Sequence, residues 1–326
     1  MDAVRYSFLL VNYNMGKLVS LCTDRIAVEM GQENYEIVVA DNSTDPQFRL
    51  GPDSFAADPR IRLVFLDHNR GLVDAVNRIT HLARGEYVFI MHPDVEFVPG
   101  CADTLRRFLE STPHAGVASP NISSPDGTAP KCPTILPTVR SESRRILNRL
   151  LNLPCRALFR CNVRFSQPLW DRSADSQVGT VVGVCMVLRR AFLDEMGPID
   201  QRLWTYWIND YICARAGQLG WSCHYVRDAK LIHYERYTPK ELYSQNLEMT
   251  YKVSFLPVNA RMEADYCTFL EIFYPPLHRV ILRALSVVEH ILQLVAQLRE
   301  PNRRAANIAN HWEIIRVSCG GRPPRA

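Results

Sequence analysis

Apolar and polar positions alternate in blocks over roughly the first hundred residues of the chain. Short apolar runs at 7–11, 36–40, 61–66 and 87–91 predict buried strands. Each run is followed by a polar loop, and apolar residues at helical spacing fill most of the intervals. This repeat predicts an α/β fold, in which helices cover both faces of a mostly parallel central sheet as an αβα layer structure.

The rest of the chain is less regular. Its apolar pattern predicts helices at 99–111, 189–196 and 211–219. It also predicts strands at 115–119, 178–188 (interrupted at Gly183), 221–226 and 230–234. From about residue 256 the pattern is helical, and 278–299 predicts one long amphipathic helix. Residues 300–326 predict a loose basic tail.

Two carboxylates, Asp94 and Glu96, follow the apolar run 87–91 directly. In an extended segment, residues two apart point to the same side, so we expect both side chains at one carboxyl end of the sheet. Open α/β sheets bind ligands at this edge. The pair therefore predicts a site for Mg²⁺ or Mn²⁺, in which the ion also binds a diphosphate. The alternative interpretation is a polar turn in which both acids are solvated.

The other predicted strands also end in polar residues, namely Asn12 and Asn14, Asp41, and Asn69 with Arg70. Amides, a carboxylate and a guanidinium on one sheet edge suit a nucleotide that carries a diphosphate. Neither a Gly-x-Gly-x-x-Gly after the first strand nor a Gly-x4-Gly-Lys-Ser/Thr loop is present. These gaps argue against a dinucleotide fold and against a P-loop enzyme.

Composition excludes some classes of protein. A net charge of +4 over 326 residues is too small to indicate a nucleic-acid partner. The ten cysteines include no Cys-x-x-Cys pair, which favours buried thiols in a reducing compartment. The longest apolar run, 181–188, is far shorter than the roughly 18 residues of a spanning helix, and the start of the chain lacks a signal-peptide layout. A cytoplasmic protein is expected.

Residues 138–164 carry seven arginines and one acid, Glu142, interleaved with leucines. Two interpretations stay open: a basic amphipathic helix on an anionic membrane surface, or a solvated arginine face over a leucine stripe packed in the core. RNA binding is disfavoured because stacking aromatic residues are nearly absent there. The apolar face of the predicted helix 278–299 must also be buried, against the main domain, a partner chain or a bilayer.

Four motifs, in this order and spacing, resemble the family-2 inverting glycosyltransferases, specifically the rhamnosyltransferase-like branch that builds bacterial polysaccharides. The resemblance covers residues 6–255. The motifs lie at 11–14, 40–45, 69–77 with 84–94, and 183–190 with 196–200.

The resemblance implies a GT-A domain at 1–255, with a donor half at 1–120 and an acceptor half at 121–255. A C-terminal amphipathic helical extension and basic tail would follow at 256–326. It also implies a nucleotide-sugar donor, dTDP- or UDP-linked and rhamnose among the candidates, and a lipid-linked or polysaccharide acceptor. Such a protein would attach peripherally to the inner face of the plasma membrane. Self-association through the C-terminal helices is a further expectation.

The resemblance also implies roles for single residues. Asp41 would contact the nucleotide base, and Asp94 and Glu96 would hold the ion. His233 would be a further ligand, although a strand histidine held by hydrogen bonds is an equally good interpretation. The residues that would line the donor pocket are Asn12, Asn14, Asn69, Arg70, Gly71 and Asn77.

One position departs from the family pattern. The family places its general base in a Glu-Asp-x-Asp-Leu-Cys run, and aligning on Cys213 puts Asn209 there. A shift by one residue puts Asp210 there, the only carboxylate between Asp200 and Asp228. We predict Asp210 as the base, because an amide cannot accept a proton.

Two other functions compete with this one. The departure at Asn209 leaves open a non-catalytic relative that binds a sugar nucleotide or pairs with an active transferase. A nucleotidyltransferase would want a Gly-rich, basic loop after the first strand, which residues 12–16 do not provide.

Overall fold

A computed structural model describes residues 3–128, 135–158, 172–234, 255–297 and 304–321. The strands are β1 (Tyr6–Asn12), β2 (Tyr35–Asp41), β3 (Ile61–Phe65), β4 (Tyr87–Met91), β5 (Val95–Phe97), β6 (Ala115–Ser123), β7 (Ser176–Val178), β8 (Cys185–Arg189) and β9 (Ser222–His233). The helices are α1 (Gly16–Met30), α2 (Gly71–Thr80), α3 (Cys101–Ser111), α4 (Val139–Leu158), α5 (Arg190–Met196), α6 (Ile208–Gln218), α7 (Phe255–Phe273), α8 (Pro276–Gln297) and α9 (Arg304–Ser318).

All described strands belong to one sheet, in the order β3-β2-β1-β4-β8-β6-β9-β5, with β7 also paired to β9. The first four are mutually parallel, β8 is antiparallel to both of its neighbours, and β6 is parallel to β9. Since β5 and β7 run antiparallel to β9, six of the nine described strands share one direction. The predicted mostly parallel sheet is confirmed.

The four strands predicted first are present, and their apolar runs explain why. Every residue of β2 and β4 is buried, as expected for strands covered on both faces. Phe8 of β1 stacks on Phe89 of β4 with 4.7 Å between the ring centroids, so the core continues from strand to strand.

A buried carboxylate also joins three segments of the sheet. Ser7 donates to Glu36 over 2.7 Å, and the backbone and guanidinium of Arg84 donate to the same carboxylate over 2.5 and 2.8 Å. Gly85 then donates to the Ser7 hydroxyl over 2.8 Å. Because the charge is well supplied with donors, it can be buried between β1, β2 and the segment that enters β4.

Three predicted elements differ from the structure. The predicted strand at 178–188 is two strands, β7 and β8, and residues 179–184 lie between them outside the ladder. The two short strands predicted at 221–226 and 230–234 are one strand, β9, with an irregularity where its pairing jumps from Val226 to Lys230. The predicted basic tail is wrong for residues 304–318, which form α9.

The chain divides into two compact units. The first comprises Met1–Ile135, Trp170–Trp204 and Ile208–Thr250, and the second comprises Leu136–Leu169, Thr205–Trp207 and Tyr251–Ala326. The predicted boundary at residue 255 differs from this division mainly because the arginine-rich segment groups with the C-terminal helices. The donor and acceptor halves within 1–255 stay predictions.

Within the second unit, α4, α7, α8 and α9 surround a buried acid. Glu263 of α7 accepts hydrogen bonds from Ser286 of α8, over 2.8 Å, and from Ser318 of α9. The predicted helix 138–164 is observed as α4 up to Leu158, and its later residues lie outside the described part of the chain. Ile146 is buried, whereas Leu147 and Leu150 are exposed, so the leucine stripe of α4 is only partly packed.

No described helix combines the length and the apolar character that a membrane span requires.

The close contact between Gly85 and β1 gives a test of this architecture. A Cβ at Gly85 would lie 2.5 Å from the backbone nitrogen of Ser7, so Gly85→Ala should lower the free energy of unfolding by about 1–3 kcal/mol in urea titration. Gly217→Ala in α6 is the matched control, because no atom lies within 4 Å of its Cβ. Equal stability of the two variants would contradict the described packing.

Candidate active site

Two histidines and one aspartate converge where β4 ends. The chain leaves β4 at Met91, and the antiparallel pairing of β5 with β9 places Val95 opposite His233. His233 Nε2 therefore lies 3.2 Å from Asp94 Oδ2, and His92 Nδ1 lies 3.9 Å from Asp94 Oδ1. One ligand atom from each of His92, Asp94 and His233 lies within 4.8 Å of the others. We call these residues the His–Asp–His cluster.

The protonation chemistry of the cluster suits a cation. Burial raises the pKa of Asp94, but the adjacent imidazoles of His233 and His92 outweigh it and hold that pKa below its usual range. The carboxylate is therefore ionised at neutral pH. His233 Nε2 is buried and is not aligned for a hydrogen bond with any described residue, which leaves it available as a ligand. These three residues fit a divalent metal ion.

Glu96 does not join this cluster, which corrects the predicted pair of carboxylates. Its Oε2 lies 3.0 Å from Arg25 Nη2 and accepts a hydrogen bond of 2.7 Å from the Tyr234 hydroxyl. The prediction assumed a continuous strand through Asp94, whereas the chain bends between β4 and β5. The alternation of side chains is lost at that bend, so the two acids serve different partners.

His92 is the functional candidate that sequence reasoning missed. The signal was present, because an imidazole two residues before Asp94 has the His-x-Asp spacing of a metal site. The prediction chose Asp94 and Glu96 instead, because a hard cation prefers oxygen ligands.

Asp41, which is predicted to contact the nucleotide base, is fully buried at the end of β2. Its Oδ1 accepts a hydrogen bond of 2.9 Å from the backbone of Ser43, and its Oδ2 accepts one of 2.6 Å from the backbone of Leu50. The carboxylate therefore fixes the loop that follows β2. Its contact with a nucleotide base stays a prediction.

Asn12 and Asn14 hold the neighbouring loops in the same way. Asn12 is buried and donates from its amide to Phe48 O over 3.2 Å. Asn14 has a φ of 58°, and its side-chain oxygen accepts from the backbones of Thr44 and Asp45 over 3.2 and 3.3 Å. Both residues lie at the predicted edge and shape it, and direct ligand contact stays a prediction.

The loop before α2 contains one available cation. Asn69 Oδ1 accepts hydrogen bonds from Gly71 N over 2.9 Å and from the Asn42 side-chain amide over 3.0 Å. Arg70 N donates to Asn42 Oδ1 over 3.2 Å, so the backbone is held at Arg70 and at Gly71. In the part of the chain that is described, the Arg70 guanidinium has no hydrogen-bond or ion-pair partner. It is thus free to bind an anion.

Gly71 is required for a close approach at this loop. Its φ is +83°, and a Cβ there would lie 2.5 Å from Trp204 O. The same carbonyl accepts a hydrogen bond of 3.1 Å from Val73 N. The start of α2 and the segment at Trp204 are therefore packed backbone against backbone.

Asn77 has a structural partner, and its place in the donor pocket stays a prediction. Its amide donates to Ile199 O over 2.8 Å and accepts from Ile199 N over 2.9 Å. This two-way pairing holds α2 to the segment after α5, and it occupies both ends of the amide. We assign Asn77 to positioning that segment.

Asp210, the predicted general base, is a partly buried titratable group. It lies in the first turn of α6, and its Oδ1 accepts a hydrogen bond of 2.8 Å from the Thr180 hydroxyl. Burial raises the pKa of Asp210 to about 6, although the Thr180 hydrogen bond opposes the shift. Asn209 instead donates to Val181 O over 2.9 Å, and a Cβ on Gly183 would lie 3.2 Å from its Oδ1.

The order of strands brings the Asp210 segment and the cluster to one edge. Because β8 is antiparallel to β4, Cys185 at its start pairs with Met91 at the end of β4. His92 then donates from its backbone to Val184 O over 2.9 Å. Thr180, the partner of Asp210, lies only four residues before Val184.

The site thus combines three functions on one edge of the sheet. The His–Asp–His cluster can hold a cation, Arg70 can bind a phosphate, and Asp210 can accept a proton near neutral pH. This combination suits the departure of a diphosphate and the activation of a hydroxyl group.

Comparisons with known proteins bear on the family and the fold of this chain. Residues 7–197 match the family model of glycosyl transferase family 2. The chain is 24% identical over 246 residues to the N-acetylglucosaminyl-diphospho-decaprenol L-rhamnosyltransferase of Mycobacterium tuberculosis, covering 68% of this chain and 73% of that protein. The predicted resemblance to the rhamnosyltransferase-like branch is confirmed.

Solved structures show the same fold. A mannosyltransferase from Pyrobaculum calidifontis, in complex with GDP-Man and Mn²⁺, superposes with a TM-score of 0.52 at 16% identity, over 98% of this chain and 85% of that one. GalNAc-T7 with UDP, GalNAc and Mn²⁺ superposes with a TM-score of 0.51 at 14% identity over 80% of this chain. This chain spans about half of the GalNAc-T7 chain, 51%.

These likenesses confirm the predicted GT-A fold. The family model matches more than half of the residues in the sequence. The chain therefore belongs to glycosyl transferase family 2.

Proposed function

We propose that this chain is a metal-dependent, inverting glycosyltransferase of cell-surface glycan synthesis. It transfers a sugar from a nucleotide-diphosphate donor to a lipid-linked or polysaccharide acceptor. The observation that carries the proposal is the partly buried Asp210, whose pKa of about 6 suits a general base, on the sheet edge that also carries the His–Asp–His cluster.

His92, Asp94 and His233 would hold the metal, Mg²⁺ or Mn²⁺. Two imidazoles and one carboxylate favour Mn²⁺, because imidazole binds first-row transition metals better than it binds Mg²⁺. When bound, the ion would neutralise the negative charge of the diphosphate. Arg70 would bind the same diphosphate from the α2 side, with its backbone N–H donating to Asn42 Oδ1 over 3.2 Å.

Asp210 acts on the acceptor. Its carboxylate accepts the proton of the acceptor hydroxyl while that oxygen forms a bond to the anomeric carbon and the bond to the diphosphate breaks. Direct displacement inverts the anomeric configuration. Thr180 orients the carboxylate by donating to Oδ1.

The mycobacterial relative supports a choice of substrates. That protein is named as an L-rhamnosyltransferase acting on a decaprenol-linked sugar, which favours rhamnose, carried by dTDP, and a lipid-linked acceptor here. A UDP-linked donor is the second choice. A lipid-linked acceptor lies in a bilayer, so the chain would attach peripherally to the inner face of the plasma membrane.

A non-catalytic relative is the second candidate, and Asn209 favours it, since an amide occupies the position at which the family carries an acid. Such a protein would bind the nucleotide sugar without turnover. Assays separate the two candidates directly.

The proposed function is tested by incubating purified protein with dTDP-rhamnose, UDP-sugars and GDP-mannose, Mn²⁺, and a membrane extract that contains lipid-linked acceptors. We expect sugar incorporation into lipid from one donor and release of the matching nucleoside diphosphate. Nucleotide-sugar binding without transfer would favour the non-catalytic relative. If the protein shows no nucleotide-sugar binding and no sugar transfer, both candidates are contradicted.

Metal binding tests the His–Asp–His cluster apart from activity. Mn²⁺ titration followed by electron paramagnetic resonance should show affinity weakened at least about tenfold in each of His92→Ala, Asp94→Asn and His233→Ala, because each removes a ligand. Glu96→Gln is the control and should stay within about threefold, since Glu96 pairs with Arg25 and Tyr234. A loss in Glu96→Gln as large as in Asp94→Asn would restore Glu96 as a ligand.

The base is tested by Asp210→Asn, which should lower kcat at least about a hundredfold with little change in donor affinity. In the wild type, kcat/KM should fall about tenfold per pH unit below pH about 6, because the carboxyl is then protonated, and level off above it. Asp200→Asn is the control, since that acid pairs with Arg202 over 2.7 Å at the surface. An unchanged rate in Asp210→Asn would remove Asp210 from the role.

A further inference from the structure

Helix α8 is oriented with its polar side inward. At 3.6 residues per turn, Leu282, Ser286 and Glu289 share one side of the helix. All three are buried. Ser286 donates to Glu263 over 2.8 Å, and the Arg283 guanidinium, near the same side, donates to Ser318 O over 2.8 Å. The polar side of α8 is therefore the side that packs against the other helices of its unit.

The opposite side of α8 is apolar and exposed. Six exposed positions fall within an arc of about 80° and extend over about 27 Å of helix. They are Leu277, Val280, Ala284, Val288, Ile291 and Val295. Leu277 is 68% exposed and Val280 is 66% exposed, which is unusual for large apolar side chains that share one face of a helix. We call these six residues the α8 stripe.

The residues beside the α8 stripe are apolar as well. Five half-buried residues lie on its flanks: Ile281, Leu285 and Leu292 on one side, and Val287 and Leu294 on the other. Together with the stripe they form an apolar sector of roughly 180°. The seam of a two-helix coiled coil is narrower, whereas helices that lie in a membrane interface have a broad sector of this kind. The width favours a bilayer over a second copy of the chain.

Charge points to the same partner. The unit that contains α8 carries 17 Lys and Arg residues against seven Asp and Glu residues, a formal charge of +10. The remaining chain carries 21 against 27, a formal charge of −6. These opposite charges partly cancel, so the net charge of the whole chain is only +4. A strongly basic unit with an exposed apolar helix face complements the negative surface of a membrane that contains anionic lipids.

We propose that the α8 stripe is the surface by which this protein binds an anionic bilayer, with α8 lying in the plane of the interface. Apolar side chains of the stripe enter the boundary between headgroups and acyl chains, and the basic unit strengthens binding by attraction to the headgroups. The proposal deepens the proposed function, since it rests on a lipid-linked acceptor for its biological purpose. It does not depend on which sugar is transferred.

The test is co-sedimentation of the full chain with vesicles of phosphatidylglycerol and phosphatidylcholine, without any sugar nucleotide. The triple variant Val280→Gln/Val288→Gln/Ile291→Gln should bind these vesicles at least about tenfold more weakly than the wild type, because three apolar side chains no longer favour the interface. Gln is a better helix former than Val, so α8 is retained in the variant. Far-ultraviolet circular dichroism checks this point.

Val28→Gln is the matched control, because Val28 is an exposed apolar residue on α1, 84% exposed, in the other unit. It should bind vesicles like the wild type. Wild-type binding should also weaken from 0.1 to about 0.5 M salt and with pure phosphatidylcholine, as the electrostatic contribution is screened or removed.

Two results would overturn the proposal. The first is unchanged vesicle binding by the triple variant. The second is a dimer, seen by light scattering, that the triple variant dissociates while vesicle binding persists, which would assign the stripe to a second copy. Sugar transfer in detergent solution is measured in parallel, so failure of the proposed function is recognised separately from failure of the membrane surface.

Discussion

The reversed direction of β8 is the constraint on which the candidate site depends. Because β8 runs antiparallel to β4, its first residue lies beside the last residue of β4, and the backbones of His92 and Val184 meet there. A parallel strand in this place would carry residues 179–184 to the opposite edge of the sheet. Asp210, which is held by Thr180, would then be separated from the His–Asp–His cluster by the length of a strand.

The buried carboxylates of the first unit differ in how well hydrogen-bond donors of the chain compensate their charge. Glu36 and Asp41 are buried, and two or more donors from the chain serve each of them. Asp210 is held by the Thr180 hydroxyl on Oδ1, so its charged form is less well compensated and burial raises its pKa. A group that is incompletely satisfied within the protein retains the capacity to take a proton from elsewhere.

Local patterns predicted the strands of the first half, the edge at which they end, and the family. The errors arose where tertiary partners decide the outcome. Glu96 pairs with Arg25, which lies about seventy positions away in the sequence. A rule based on the spacing of neighbouring residues cannot predict a contact between residues so far apart in the sequence. Residues 304–318 form a helix despite a weak amphipathic pattern, because their contacts within the helical unit stabilise them.

The contact between Gly71 and Trp204 joins two segments that border the candidate site. The Trp204 carbonyl accepts from Val73 and leaves no room for a side chain at position 71. The loop that carries Arg70 and the stretch of chain that leads towards α6 therefore cannot move independently. Under the proposed function, a diphosphate that orders the Arg70 loop would therefore also restrict the backbone at Trp204.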